Sequence, residues 1–213
     1  MANRPLKHIF RMIHIDNMPH VIEVGLTHRQ SQNASKNFRP IGDATLISTR
    51  HTKLVQIVDS KEWITLGDYV PFYFGVRTPM LYVMQLGGNY VPNKVSPEDI
   101  IYCVMNLSTL IDKDFTFYFS DGHATDGFTQ FYSHNRFDVV HELVDVKATR
   151  VKWWSDGEDR DLKRRKQAEL LVRGDIPFDC LAGFIVYNDA AKSRLLQMGI
   201  LAENVHIEPN FYF

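Results

Sequence analysis

The alternation of apolar and polar positions along the chain predicts several short strands separated by helices and turns. Runs rich in β-branched and aromatic residues are typical of buried strands. A further run near the carboxyl end begins with strict alternation, which predicts a last strand. The strands predicted in this way are 8–13, 99–107, 115–122, 181–188 and one that begins at 204.

Helical patterns fall between some of these strands. After the first strand the sequence predicts a short helix that Asp16 or Asn17 caps and Gly25 closes. Residues 189–199, DAAKSRLLQMG, predict a second capped helix. Residues 44–50, ATLISTR, fit either a strand or a helix, so the pattern leaves both open.

Two segments break the apolar period. Residues 27–43 are mostly polar, have no apolar period and predict a long loop, which in compact domains is usually functional or mobile. Residues 68–84 are aromatic but contain Pro71 and Pro79, which disfavour a long central strand or helix. A dense aromatic turn is therefore expected there. The irregular spacing favours a mixed-sheet α/β or α+β fold, with 1–213 as one domain.

Composition narrows the classes of function. The chain has 213 residues, 45% hydrophobic residues and a net charge of -1, so a polyanion would need a local basic patch. Cys103 and Cys180 lie in apolar runs and predict buried, reduced thiols without a zinc site. We find no signal peptide and no membrane span, so a cytoplasmic location is expected. The common nucleotide-loop, hydrolase and redox motifs are missing from the sequence.

One acidic residue stands at the edge of an apolar run, in RRKQAELLVRGDIP. If this segment is a helix, Glu169 forms a surface ion pair with Arg165 or Arg173, and composition alone favours this interpretation. If it is a strand, Gln167 and Glu169 project together into a cleft, where the carboxylate can stabilise a cation or take a proton. Arg50 is similarly either a surface arginine or a fixed cation for a phosphate.

Two further features suit ligand binding. His123 follows a predicted strand and a turn, which would expose it at the end of the strand. Residues 147–154 and 160–166 interleave cations with two tryptophans, a combination that suits single-stranded nucleic acid. Nearby acids partly neutralise these cations, and a solvated helix face is the alternative.

Several strings occur together in a characteristic order: HIDN, DYVPFYF, R-x-PM, F-x-D-x-HA and QAE-x-L. From about residue 8 to 213 the chain resembles the DarT family, DNA ADP-ribosyltransferase toxins of DarT–DarG toxin–antitoxin systems. The resemblance implies an α+β, ADP-ribosyltransferase-like fold. In that fold a split mixed sheet surrounds an NAD cleft, with helices and a long substrate-recognition loop. NAD is the implied co-substrate, without a metal.

The resemblance also implies the activity and the partners. Family members transfer ADP-ribose from NAD to a base of single-stranded DNA, most often thymine, although a guanine-modifying branch exists. Nicotinamide is released and replication is blocked. A macrodomain-type, DarG-like antitoxin is the implied partner, and the enzyme is expected to be a monomer without membrane contact. The alternatives are a transferase of the same fold acting on protein or RNA, and a non-catalytic module that binds single-stranded DNA.

Site residues follow from the matching positions. The resemblance implies that Glu169 stabilises oxocarbenium character at the ribose, and that Arg50 assists the base or binds phosphate. The residues expected to contact NAD are Arg11, Met12, Ile13, His14, His20, Leu26, Arg50, Gly75, Val76, Arg77, Thr78, Pro79 and Met80. The residues expected to contact DNA are His123, Arg150, Lys152, Trp153, Trp154, Arg165 and Gln167.

Overall fold

Ten strands form the framework of the protein in a computed structural model that describes residues 6–87, 91, 93–155 and 157–213. All five strands predicted from the apolar pattern are confirmed, as β1, β5, β6, β9 and β10. The strands are β1 (His8–His14), β2 (Leu54–Gln56), β3 (Trp63–Thr65), β4 (Tyr69–Tyr73), β5 (Ile100–Asn106), β6 (Phe117–Ser120), β7 (Phe131–Ser133), β8 (Glu169–Arg173), β9 (Gly183–Val186) and β10 (Val205–Ile207).

The helices are short, with four to nine residues each. Residues 44–50 prove to be helical, because the carboxylate of Asp43 accepts hydrogen bonds from Thr45 N at 2.8 Å and Leu46 N at 3.1 Å. No helix in the described ranges has both the length and the apolar character needed to cross a membrane. The helices are α1 (Met18–Val24), α2 (Ala44–Thr52), α3 (Pro79–Leu86), α4 (Leu107–Asp112), α5 (Val140–Leu143), α6 (Val146–Arg150), α7 (Leu162–Arg165) and α8 (Asp189–Gln197).

Eight of the strands form one mixed sheet, in the order β10-β9-β5-β1-β4-β8-β6-β7. The β9–β10 pair is parallel, whereas the other neighbours are antiparallel. β1 pairs with β5 along its whole length but meets β4 only at Phe10 and Tyr73. The sheet therefore divides between β1 and β4, as the predicted split-sheet α+β fold requires. β2 and β3 form a separate hairpin.

The aromatic turn predicted around Pro71 is wrong, because these residues form the central strand β4. β4 pairs with β8 along its length and is nearly free of β1. The Pro71 carbonyl accepts a hydrogen bond from Arg11 Nη1 on β1, at 3.1 Å, so the missing N–H of Pro71 also faces the divided side of the sheet. No ladder hydrogen bond is lost there. Pro79 begins α3, where its missing N–H is tolerated.

Both faces of the sheet are covered. Ala168, Leu170 and Val172 of the β8 segment point into the main core, against residues of α1 and α8, while Leu171 points into a smaller core beside the β2–β3 hairpin. This alternation is the one predicted for a strand. Cys103 and Cys180 are buried and free, as their apolar surroundings predicted.

Candidate active site

A cavity of about 510 Å³ opens beside the division of the sheet. Its walls come from β1, β4, the start of β8, α2, α3 and the loop of residues 27–43. This volume lies within the range of about 300–1,000 Å³ that is usual for small-molecule sites. The charged and aromatic polar residues that line it are Arg11, His28, Arg29, Lys36, Asp43, Arg50, His51, Tyr69, Tyr73, His123 and Glu169.

Glu169 is the first residue of β8, and its side chain is only 1% exposed. Its Oε1 accepts a hydrogen bond from Ala124 N at 3.1 Å, and its own backbone amide donates to Ser120 Oγ at 3.1 Å. The strand interpretation of this segment is therefore confirmed. A surface pair with Arg165 or Arg173 on a helix is wrong, because the carboxylate points into the cavity.

Arg50 reaches Glu169 from the last turn of α2, 119 residues earlier in the chain. Its Nη1 lies 2.8 Å from Oε2 and 3.1 Å from Oε1, with the arginine side chain 19% exposed. The Oε2 contact is an ion pair without hydrogen-bond directionality. Oε2 and Arg50 Nη2 are buried and lack hydrogen-bond partners among the described residues. Buried polar atoms are rarely left unpaired, so these two atoms are available for a polar ligand.

Arg11 and Tyr73 add a cation and a neutral donor to the cavity. Burial lowers the pKa of Arg11 to about 10, so its guanidinium stays charged at neutral pH. Burial also raises the pKa of Tyr73, and the nearby Glu169 carboxylate acts in the same direction, so the hydroxyl stays protonated. Among the residues that line the cavity, four cationic side chains, including Arg11 and Arg50, stand against two carboxylates, which favours a ligand with negative charge. In the described part of the chain, no group of three or more His, Cys, Asp or Glu residues is placed to hold a metal ion.

His123 lies in the turn after β6 and also lines the cavity. Its backbone amide donates to Arg164 O at 3.0 Å, and its carbonyl accepts from Thr129 Oγ1 at 2.8 Å, which holds the turn in place. The ring Nδ1 lies 3.0 Å from Thr125 Oγ1. Burial lowers the pKa of the imidazole, so the ring is neutral at pH 7 and can accept a proton.

The loop of residues 27–43, predicted to be functional or mobile, forms one wall of the cavity and is held at two points. The Asn17 side chain donates to Arg39 O and accepts from Arg39 N, both at 2.8 Å. Asp175 accepts hydrogen bonds of 2.5–3.2 Å from one backbone amide and two side chains of residues 28–33. Both ends of the wall are therefore fixed to the body of the protein.

Sequence reasoning misses these two anchors. The pattern predicts Asn17 as a possible helix cap, but its side chain makes no cap hydrogen bond to α1 and binds the loop instead. For Asn17 the sequence does hold a signal, because this residue ends the string HIDN, one of the strings that carry the family resemblance. Nothing local in the sequence marks Asp175 as a partner of residues 28–33, because the two segments lie far apart in the chain.

Four of the residues predicted to contact NAD line the cavity: Arg11, Met12, Arg50 and Met80. Thr78 instead caps α3 through Leu81 N at 3.3 Å, and Gly75 lies against the backbone of α6. Their NAD contacts stay predictions. The predicted NAD residues whose side chains do not line this cavity are Ile13, His14, His20, Leu26, Gly75, Val76, Arg77, Thr78 and Pro79.

The two tryptophans predicted to contact DNA belong to an aromatic cluster with Tyr82 and Phe213. The ring centroid of Trp153 lies 6.1 Å from that of Tyr82 and 5.6 Å from that of Phe213. For Trp154 the corresponding distances are 5.7 and 5.9 Å. Trp153 is still 50% exposed. Neither Trp153 nor Trp154 lines the cavity of Glu169, so their contact with DNA stays a prediction.

The three cations just before Glu169, which are Arg164, Arg165 and Lys166, already have partners within the protein. Arg164 pairs with Asp121 at 2.8 Å and Asp161 at 2.7 Å. Arg165 pairs with three carboxylates, those of Asp145, Asp159 and Asp161. Lys166 is fully buried, where its Nζ donates to three backbone carbonyls and desolvation lowers its pKa to about 8.

The remaining predicted DNA residues lie elsewhere. Arg150 and Lys152 are exposed at and after the end of α6. Gln167 precedes β8, and its Nε2 donates to Lys163 O at 3.0 Å. The strand interpretation predicted that Gln167 and Glu169 enter the same cleft. This part of it is wrong, because Gln167 lines a neighbouring cavity.

Comparison with known proteins supports one family. The model of the DarT family, described as ssDNA thymidine ADP-ribosyltransferase, matches residues 10–213. A DNA ADP-ribosyl transferase of Escherichia coli O127:H6 is 31% identical over 209 residues, covering 96% of this chain and 93% of that protein. A transferase–glycohydrolase fusion protein of Thermosipho africanus is 25% identical over 210 residues, covering 97% of this chain and 50% of the fusion.

Solved structures of DarT from Thermus sp. 2.9 share the fold. The complex with ADP-ribosylated ssDNA superimposes with a TM-score of 0.82 at 25% identity, covering 98% of this chain and 97% of that chain. The complex with NAD+ has a TM-score of 0.78 at 24% identity and covers 100% of both chains.

Proposed function

This chain belongs to the DarT family, and on that premise we propose that it transfers ADP-ribose from NAD to a thymine base of single-stranded DNA. The Arg50–Glu169 pair in the cavity carries the proposal. The family is described as acting on thymidine in single-stranded DNA, and a relative of the same fold is known in complex with ADP-ribosylated ssDNA.

The cavity fits NAD on physical grounds. NAD carries a diphosphate, ribose hydroxyls and two flat rings, and it supplies the ADP-ribosyl group with nicotinamide as the leaving group. Arg11 and Arg50 offer positive charge to the diphosphate, while Tyr73 offers a neutral hydroxyl. Among the residues that line the cavity, Glu169 Oε2, Arg50 Nη2, His28 Nδ1 and His51 Nδ1 are buried and lack partners within the described part of the chain. The loop of residues 27–43 closes one side.

Glu169 stabilises the positive charge that develops on the ribose when the bond to nicotinamide breaks. The carboxylate is buried and fixed by Ala124 N and Arg50, so little reorganisation is needed during the reaction. Burial also strengthens its interaction with a nearby positive charge, because the surroundings have a low dielectric constant. Arg50 holds the carboxylate in this orientation.

The acceptor nitrogen of thymine carries a proton that must leave when the new bond forms. Arg50 is a poor acceptor, because a guanidinium stays protonated at neutral pH. His123 lines the same cavity and is neutral, since burial lowers its pKa. We assign His123 as the group that takes this proton, either directly or through one water molecule.

The biological role proposed for this activity is that of a toxin. A bulky ADP-ribose on a template base would block replication. The Thermosipho relative is a fusion with a DNA ADP-ribosyl glycohydrolase, which supports a partner able to remove the modification. We therefore propose a macrodomain-type, DarG-like antitoxin as the partner of this chain.

The proposed transfer is tested with NAD and short oligonucleotides in which each base is varied in turn. A mass gain of one ADP-ribose unit on thymine-containing DNA, lost in Glu169→Gln, supports the proposal. A gain on guanine-containing DNA only would change the assigned base. Modification of RNA or protein alone would point to another acceptor, and binding without any mass change would contradict an enzymatic role.

A bacterial growth assay tests the role as a toxin. Induced wild-type protein should arrest growth, whereas Glu169→Gln at equal abundance should not. A DNA ADP-ribosyl glycohydrolase made in the same cells should restore growth. Normal growth with ADP-ribosylated DNA present in the cells would contradict the role as a toxin but leave the enzymatic activity standing.

A further inference from the structure

A second cavity, of about 690 Å³, adjoins the cavity of Glu169. The two cavities share Asp43, Leu46, Met80 and His123, so they meet beside the proposed proton acceptor. A ligand in the second cavity can therefore place one of its groups in the first. The residues that line only the second cavity are Pro79, Val83, Asp126, Phe128, Arg160, Asp161, Lys163, Arg164 and Gln167.

Two cations in this second cavity are available to a ligand. In the part of the chain that the structure describes, no hydrogen bond, ion pair or ring contact engages the side chains of Arg160 or Lys163. Their neighbour Arg164 differs, because Asp121 and Asp161 already neutralise it. Arg160 and Lys163 are thus the cations that can bind an anion here without breaking an existing pair.

Phe128 is 87% exposed, which is unusual for a large apolar side chain lining a cavity. Its backbone amide donates to Asp126 Oδ1 at 2.9 Å, so the turn that presents the ring is hydrogen-bonded. No aromatic neighbour packs on the ring among the described residues, in contrast to Trp153. An exposed ring beside unpaired cations is the combination that single-stranded nucleic acids use, with bases stacked on rings and phosphates on cations.

Resting on the proposed function, we propose that this second cavity, and not the Trp153–Trp154 pair, binds the acceptor DNA strand. A base next to the modified one stacks on Phe128. Arg160 and Lys163 contact the flanking phosphates. The target base then turns through the junction at His123 and Met80 into the cavity of Glu169.

The acidic residues of the second cavity are compatible with this arrangement. Asp43 accepts hydrogen bonds from the first backbone amides of α2, and Asp126 accepts one from the amide of Phe128. Asp161 is paired with Arg164 and Arg165. Their charge is therefore partly offset by amide donors and guanidinium groups, whereas no carboxylate of the described residues pairs with Arg160 or Lys163.

The test compares Phe128→Ala with Trp63→Ala, a matched control that removes a 61% exposed ring outside both cavities. Binding of a fluorescent single-stranded oligonucleotide is measured by anisotropy without NAD, and transfer is measured by oligonucleotide mass. Phe128→Ala should weaken binding and raise KM for the oligonucleotide about tenfold, the usual effect of removing one stacked ring. KM for NAD should not change, and Trp63→Ala should match wild type.

The phosphate-binding role of the two cations is tested by the double variant Arg160→Gln/Lys163→Gln, with Lys147→Gln on α6 as the control. If both cations bind phosphates, the plot of log affinity against log salt concentration should be less steep for the double variant than for wild type. The slope should differ by about 1.4, or about 0.7 for each phosphate contact that is lost. Lys147→Gln should leave the slope unchanged. Thermal melting of each variant should match wild type, because all of these side chains are at the surface.

The outcomes separate this inference from the proposed function. If wild type modifies DNA but the Phe128 and Arg160/Lys163 variants bind and react like wild type, the inference is overturned and the proposed function stands. If Trp153→Ala weakens DNA binding while Phe128→Ala does not, the strand lies over the tryptophans and the inference is again overturned. If wild type modifies no oligonucleotide, the proposed function fails, and the anisotropy comparison still decides whether this cavity binds DNA.

Discussion

Replacing Glu169 by glutamine removes one charge from the cavity while it preserves the size of the side chain. The glutamine oxygen can still accept the hydrogen bond from Ala124 N, but the ion pair of 2.8 Å with Arg50 is lost. Breaking a fully buried pair costs about 3–5 kcal/mol of stability. Arg50 is 19% exposed towards the cavity, where water can solvate it, so we expect a cost of about 1–2 kcal/mol.

The effect on catalysis should be larger than the effect on stability. A preorganised group that faces developing charge typically contributes on the order of 10³-fold, or about 4 kcal/mol, to the rate. Single-turnover transfer to a thymine-containing oligonucleotide should therefore slow by about that factor in Glu169→Gln. Urea unfolding measures the stability, and Glu62→Gln, which alters an exposed carboxylate bound to the Tyr118 hydroxyl, is the matched control.

A double-mutant cycle tests whether Arg50 and Glu169 act as one unit. If Arg50 works mainly by orienting the carboxylate, Arg50→Ala should add little to the rate loss of Glu169→Gln. A folded Glu169→Gln protein with a rate within about threefold of wild type would refute the electrostatic reasoning, which assigns the carboxylate about a thousandfold. Rate losses that simply multiply would show that Arg50 has a separate task.

Three further predictions concern the structure around the site. Asn17→Ala removes the two hydrogen bonds from Asn17 to the Arg39 backbone and leaves only the exposed Arg39–Asp16 pair there, so KM for NAD should rise about tenfold with kcat nearly unchanged in steady-state assays. Gly75→Ala places a methyl group against a backbone carbonyl of α6 and should lower unfolding stability by about 1–3 kcal/mol, whereas Gly127→Ala, with open space around it, should not. Burial lowers the pKa of His14 below its ordinary value of 6.5. As the pH drops below 6.5, the unfolded chain therefore takes up the proton at this residue before the folded protein does, and the stability of the folded protein should fall. His14→Asn should reduce that loss in urea titrations at several pH values, and an unchanged loss would contradict the assignment.

Much of the local structure was predictable from the order of apolar and polar residues. The strands β1, β5, β6, β9 and β10 and the long loop of residues 27–43 followed from period and composition alone. The alternation around Glu169 was also readable, because every second residue of a strand faces the same side. Composition alone favoured a helix with a surface ion pair there, which is wrong, and only the resemblance carried by the family strings pointed to the strand.

Central placement of β4 was not predictable from local rules. Proline is excluded from a central strand only where a carbonyl of the neighbouring strand would have to accept a hydrogen bond from its missing N–H. Whether β1 requires such a bond from Pro71 depends on where the sheet divides. Pro71 lies at that division, so the local rule failed for a tertiary reason.

The pairing of charges was decided in the same way. From the order of residues alone it follows that Glu169 stands at the edge of an apolar run with cations on both sides. Tertiary structure decided which cation meets which acid: Arg50 reaches Glu169 from 119 residues away, and Arg164 meets Asp121 from 43 residues away. The physical reason is that periodicity depends on neighbours within one turn or strand, whereas an ion pair depends on how distant elements pack. The residues left without partners in the described part of the chain, Arg160, Lys163 and Phe128, emerge only after that packing is complete.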